Sequence, residues 1–243
     1  MSPVVHSQCG DHQVYEDDLS LLNLGEWLND NLVAFFIEAV SLNSPNTYIL
    51  SPSVSSFLVH QLDPDDEDYA EECAKFIRGA IPPLLEEKKM DKSVEVDLVI
   101  PINSSFSDPH AAFMQLGQGT HWSLLHLRIC RSKEHNTFDL HHVHYDSSPR
   151  NSNLPTATSF LETFNQSIVA AYGHTSVNSS TEMSMSPLPT FTSSESIKQS
   201  DGWSCGWYTL FFARTVILNV SQPSFDLNKL QNEFLSYLLK YKV

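Results

Sequence analysis

Basic residues are scarce in this chain. Lys and Arg total 14 against 29 Asp and Glu, for a net charge of −15. A nucleic-acid binder needs a basic footprint to neutralise phosphates, so that class of partner is not expected. Attachment to an anionic membrane surface is excluded on the same ground. A basic protein partner is what such a surface steers toward itself. Cysteine is sparse too. Cys9, Cys73, Cys130 and Cys205 lie far apart, with none of the paired spacing of a zinc site, and no metal is expected from them. The first residues, Met1-Ser2-Pro3-Val4-Val5-His6, lack the basic-then-apolar pattern of a secretory signal. The four thiols are therefore read as reduced, which places the protein in the cytosol or nucleus. No apolar run is long enough to span a bilayer; the strongest, Trp207 to Leu218, is short and contains Arg214. No internal repeat is visible.

What is present reads as one domain, residues 1–243, with an ordinary globular composition and room for a sizeable core. Residues 1–11 read as a flexible polar tail. The acidic run from Asp63 to Glu72 reads as a solvated face. Residues 173–196, rich in Ser, Thr and Pro, read as a mobile surface insertion. Between these lie periodic segments. Asn29 or Asp30 can cap a helix through Leu32, Phe35, Phe36 and Val40. Pro52 opens a second helix and Tyr69 to Ile81 forms a third, stopped by Pro82-Pro83. Val94 to Ile100, Trp122 to Ile129 and Phe138 to Tyr145 have strand composition, the last two as antiparallel neighbours across a short hairpin. Helices from Ala157 to Ala171, from Trp207 to Leu218 and from Leu227 to Leu239 follow. Helices, then strands, then helices give an α+β domain and not a doubly wound sheet.

The most informative segment is Gln199-Ser200-Asp201-Gly202-Trp203-Ser204-Cys205-Gly206. It sets one cysteine at the start of an apolar helix. There the unpaired N–H groups and the helix dipole favour an anion, hence thiolate over thiol. Gln199 can donate to a developing oxyanion. A thiolate enzyme also needs an imidazole. Among eleven histidines, His121 stands where a long loop enters a strand. Asp146 ends the neighbouring strand. With antiparallel pairing the two meet at one sheet edge, as a base and the carboxylate that orients it. Each residue alone has a plainer reading: a surface or core histidine, a turn-forming aspartate, a small buried cysteine. A second cluster, Cys130, His135, His141, His142 and His144, sets His142 and His144 on one strand face. No further ligand pair accompanies them, and the site is read as metal-free.

Trp27-Leu28-Asn29-Asp30, Thr120-His121-Trp122-Ser123-Leu124, His144-Tyr145-Asp146-Ser147 and Gln199…Trp203-Ser204-Cys205-Gly206 occur in the order found in a known family. In this the chain resembles the ubiquitin-like-protein-specific cysteine proteases, the Ulp/sentrin-specific protease family, over about residues 12–220. The Gly-Thr-His-Trp-Ser-Leu-Leu run, His-Tyr-Asp-Ser and Ile-Leu-Ser-Pro-Ser-Val are most similar to its deneddylating branch. The resemblance implies a papain-like α+β fold: a helical lobe, a central mixed or antiparallel sheet, and the catalytic cysteine at a helix N-terminus. It implies Cys205 as nucleophile, His121 as base and acid, Asp146 as orienting carboxylate, and Gln199 in the oxyanion hole. Trp27 and Trp122 would wall a tunnel for an extended Gly-Gly tail, with Asp30 nearby helping to choose the modifier. The implied partner is a ubiquitin-like modifier and its conjugates, Nedd-type favoured over SUMO-type, acted on by a monomer without a cofactor. A catalytically silent modifier-binding module is the reading from another class. The chain departs from the family in having Ser204 where Asp is usual and Trp203 where Tyr is common. The Asn103–Gln118 loop also differs.

Overall fold

Alternating apolar residues dictate the centre of the molecule. The computed structural model describes residues 3–60, 65–81, 94–107, 121–132, 137–150, 152–175, 184–185, 197–220 and 224–243. Strand β4 (Val94–Asn103) turns Val96, Leu98, Ile100 and Ile102 to one face and Val99 to the other, all at 1% exposure or less. Strand β5 (Trp122–Ser132) does likewise, with Leu125, Leu127 and Ile129 on the first face and Trp122 and Leu124 on the second. A strand buried on both sides needs cover on both sides. Helices α2 (Pro52–His60), α3 (Tyr69–Ala80) and α4 (Leu154–Thr175) cover the first face. Helices α1 (Asp30–Ser41), α5 (Cys205–Ile217) and α6 (Leu227–Lys240) cover the second. With β3 (Thr47–Ile49), β6 (Thr137–Tyr145) and β7 (Ser184–Met185) the strand order is β3-β4-β5-β6-β7. The two outer pairings are parallel and the two inner ones antiparallel. The expected α+β class holds, with the sheet mixed.

Two registers fix the ends that matter. Trp122 pairs with Asn103 across β4 and β5, and Leu124 pairs with Tyr145 across β5 and β6. The start of β5 and the end of β6 therefore share one edge of the sheet. The second core is stapled by aromatics: Phe234 of α6 stacks on Phe36 at 5.2 Å and meets Trp207 edge-on at 5.9 Å. Such pairs add about 0.5–1.5 kcal/mol each beyond their burial.

Of the two expected caps, Asn29 and not Asp30 caps α1, accepting from the Leu32 N–H at 3.1 Å. α4 is longer than expected at both ends. The flexible tail is corrected. Val5–Cys9 forms strand β1, paired antiparallel with β2 (His12–Tyr15) through a turn at Gly10, whose φ is +56°. Ser7 and Cys9 point inward at 0% and 2% exposure, and the Ser7 hydroxyl donates to the Leu238 carbonyl of α6 at 2.9 Å. This alternate inward pair, closed by a helix far along the chain, makes a strand of a segment that looks merely polar. Apart from the end of α4 and Ser184–Met185, the 173–196 segment lies outside the described residues, as do the hairpin turn 133–136 and loop residues 108–120.

Candidate active site

Helix α5 carries large apolar side chains on nearly every face, so it is buried almost all round and cannot shift freely. Cys205 occupies its first position at 1% exposure. A residue there has a backbone N–H with no acceptor inside the helix. The turn ahead of it is tied by one carboxylate. Asp201 accepts from the Trp203 N–H at 3.0 Å, the Ser204 N–H at 2.8 Å and the Ser204 hydroxyl at 2.9 Å. Burial alone would raise the Asp201 pKa, but these three donors hold it below the ordinary value. Ser204 thus spends its hydroxyl on locking the turn. Gly206 follows because Leu28 packs against it: a Cβ there would stand 3.0 Å from Leu28 Cβ.

His121 precedes β5 and Asp146 follows β6, as the register requires. The His121 ring Nε2 meets Asp146 Oδ1 at 2.6 Å, both side chains buried. This leaves Nδ1 as the nitrogen available to the Cys205 side chain, which lies close enough to raise the pKa of the ring. Burial pulls the imidazolium pKa down. The hydrogen bond and negative charge of Asp146, with the neighbouring Cys205 side chain acting in the same direction, outweigh it and lift His121 from 6.5 to about 9. Burial likewise works against the Asp146 carboxylate. The His121 contact and the N–H groups of Ser148 and Asn153, at 2.8 and 3.1 Å, bring its pKa below the ordinary value.

Three residues missed by sequence reasoning complete this corner. Asn153, fully buried before α4, gives its side-chain N–H groups to the carbonyls of Ile102 and His121 and to the Ser123 hydroxyl, at 3.1, 3.1 and 3.2 Å. Ser123 in turn bonds His144 Nε2 at 2.9 Å. Burial drives His144 down to about 4, and the charge of nearby His121 adds to that, so His144 stays neutral beside an imidazolium. Ser147 is the third. Its hydroxyl donates to Gln199 Oε1 at 2.6 Å, while Gln199 Nε2 donates to the Asp201 carbonyl at 2.8 Å. An asparagine before a helix reads as a cap, and serines next to polar turns carry no signal. Only the assembled network reveals these three.

His121, Asp146, Gln199 and Cys205 are thus brought to one corner. The other predicted residues differ in their exposure. Trp27 is 38% exposed, beside the Leu28 that abuts Gly206. Trp122 is 2% exposed, and its indole N–H donates to the Leu28 carbonyl at 2.9 Å. It thereby ties the start of β5 to the Leu28 backbone beside Trp27. Asp30 faces a cavity of about 310 Å³ lined by Asp11, His12, Gln13 and Tyr15 of the N-terminal hairpin and by Ser51 and Ser53. Its buried Oδ1 has no hydrogen-bond partner among the described residues, and burial raises its pKa from 3.8 to about 6. Among the described residues no cluster of His, Cys, Asp and Glu could hold a metal ion. No helix among them is long and apolar enough to cross a membrane.

The fold has known counterparts. Residues 26–241 match the model of the Ulp1 protease family, C-terminal catalytic domain. The chain belongs to the Ulp1 protease family. A probable sentrin-specific protease 8 of Dictyostelium discoideum is 28% identical over 125 residues, 47% of this chain and 42% of that protein. The match thus spans less than half of that relative's length. Among solved structures, the C-terminal Ulp1 protease domain in complex with Smt3, the yeast ortholog of SUMO, aligns with a TM-score of 0.55 at 17% identity, over 99% of this chain and 89% of that one. The Chaetomium thermophilum Ulp1-like SUMO protease catalytic domain gives 0.54 at 15% identity, over 99% and 83%. At these identities what is shared is the Ulp1 protease fold, and it is the fold the resemblance implied.

Proposed function

We propose that this chain is a monomeric thiol protease that cleaves after the C-terminal Gly-Gly of a ubiquitin-like modifier in the cytosol or nucleus. The observation that carries the reading is the buried His121–Asp146 pair at 2.6 Å, with Cys205 at the N-terminus of α5 close enough to raise the His121 pKa. In this mechanism the Cys205 sulfur attacks the carbonyl carbon of the terminal glycine. The oxygen that gains the negative charge is met by the Gln199 side-chain amide and the Cys205 backbone N–H. Collapse of the intermediate breaks the C–N bond, and the His121 imidazolium gives its proton to the departing amine. Neutral His121 then takes a proton from water, whose oxygen attacks the thioester and releases the modifier carboxylate. Asp146 holds the ring and offsets its charge throughout. A flat indole at Trp27, lying over the tail, leaves no room for a side chain, so glycine selection follows from sterics.

The Nedd-type modifier is the favoured substrate. The sequence runs around His121, Asp146 and Ser51 support it, as does the relative called a probable sentrin-specific protease 8. A SUMO-type substrate is the second reading, favoured by the Ulp1-fold structures, whose proteins are named for SUMO. The test is side-by-side turnover of fluorogenic Nedd-, SUMO- and ubiquitin-type substrates. The Nedd-type substrate is expected to be fastest. Cys205→Ala is expected to abolish turnover and retain modifier binding; undiminished turnover by that variant overturns the assignment.

A further inference from the structure

The turn after β6 carries two consecutive buried side chains, Asp146 and Ser147, at 2% and 1% exposure. Asp146 faces His121. Ser147 faces the other way and holds Gln199 twice: its carbonyl accepts the Gln199 backbone N–H at 2.9 Å, and its hydroxyl donates to Gln199 Oε1 at 2.6 Å. Across the amide, Nε2 donates to the Asp201 carbonyl at 2.8 Å. A backbone carbonyl can only accept, so the nitrogen has to lie on that side and the oxygen on the side of Ser147. A side-chain amide carries two N–H groups. Asp201 takes one, which leaves one for the oxyanion that the proposed function places at Cys205. An amide turned end for end would instead present a lone pair to the oxyanion, which repels it. Donors of this kind work because they are aimed before the charge develops.

We propose that Ser147 is a positioning residue that sets the orientation of the Gln199 amide, so that one dipeptide, Asp146-Ser147, aligns both the imidazole and the oxyanion donor. The proposal rests on the reading of Gln199 given under the proposed function. It divides the work cleanly. Asp146 governs protonation at His121, and Ser147 governs stabilisation of the tetrahedral oxyanion, with no proton moved at Ser147.

The test is a double-mutant cycle in the full chain, with Ser147→Ala, Gln199→Ala and the pair, using the preferred fluorogenic modifier substrate. Gln199→Ala is expected to lower kcat by about 10²–10³-fold. Ser147→Ala is expected to lower kcat on the order of tenfold, as the loss of one aligning hydrogen bond would, with KM and the pH profile unchanged. In the Gln199→Ala background the same change should do nothing further, because there is no amide left to aim. Ser147→Thr, which keeps a hydroxyl, should restore most of the loss. A Ser147→Ala loss that is equal in both backgrounds, or that comes with a shifted pH profile, overturns the proposal and leaves Gln199 in place. Unchanged kcat in Ser147→Ala overturns it as well. Wild-type kcat in Gln199→Ala overturns the oxyanion reading and, with it, this proposal.

Discussion

The corner where β5 begins and β6 ends differs sharply from the segment that leads into α1. At the corner, buried polar groups hold one another in place. His121 is fixed through its ring by Asp146, and its carbonyl accepts from the Ser104 N–H and from Asn153, both at 3.1 Å. At the α1 segment, Trp27 is 38% exposed and Asp30 buries an oxygen without a partner. A buried, unsatisfied carboxylate is costly to a fold and persists where function uses it. On the proposed function, the chemistry sits where the polar network is densest, although Asn153 Oδ1 is buried there too without a partner among the described residues. The α1 segment is the proposed entrance, where a modifier tail would supply a partner.

Breaking the corner should have the largest effect. Asp146→Asn keeps the shape but removes the charge that holds the His121 proton. We expect kcat/KM to fall by about 10³–10⁴-fold. The alkaline limb of the wild-type profile should lie near pH 9, where His121 loses the proton that the leaving amine needs, and in the variant it should move toward the ordinary 6.5. An alkaline limb that stays in place would separate Asp146 from the imidazole.

Breaking the entrance should cost less and show up elsewhere. Trp27→Ala is expected to lower kcat/KM by roughly ten- to a hundredfold, mostly through KM, since binding surface is lost and the reacting groups are not touched. Alkylation of Cys205 by iodoacetamide should keep its rate. A pure kcat effect would move Trp27 into the corner.

The smallest effect sharpens the contrast by its sign. Asp30 has a folded-state pKa of about 6 against an ordinary 3.8, so between those values the folded protein binds more protons than the unfolded chain. Its contribution to stability is therefore present below 3.8 and lost as pH rises through 6. Asp30→Asn should raise the melting temperature at pH 7, by on the order of 2 °C, while weakening modifier turnover. A lower melting temperature would mean that the carboxylate has a stabilising partner and that the entrance is not strained.

Much of this was legible in the chain. The strands are long alternating runs whose register follows once they pair as neighbours, and that register alone carries His121 to Asp146. Cys205 is marked by the apolar helix it starts. Trp122, expected as a tunnel wall, is buried as well, because its indole N–H reaches the Leu28 carbonyl, 94 positions away. The β1 strand was missed for the same kind of reason, since the acceptor for Ser7 lies 231 positions along the chain. Asn153 looks like a helix cap, but the orientation of its side chain is set by three acceptors brought in by β4 and β5. Contacts of this reach leave no periodicity and no local pattern.

The sheet's two buried faces have a consequence for how activity is acquired. Cys205 belongs to the core beneath α1, α5 and α6, while Asn153, which braces His121 and Asp146, leads into the helix that closes the opposite core. On the proposed function, a working centre needs both cores. During folding, then, catalysis works as a coincidence detector. A half-consolidated chain, with a free thiol and one side still loose, is a protein that has not yet become an enzyme.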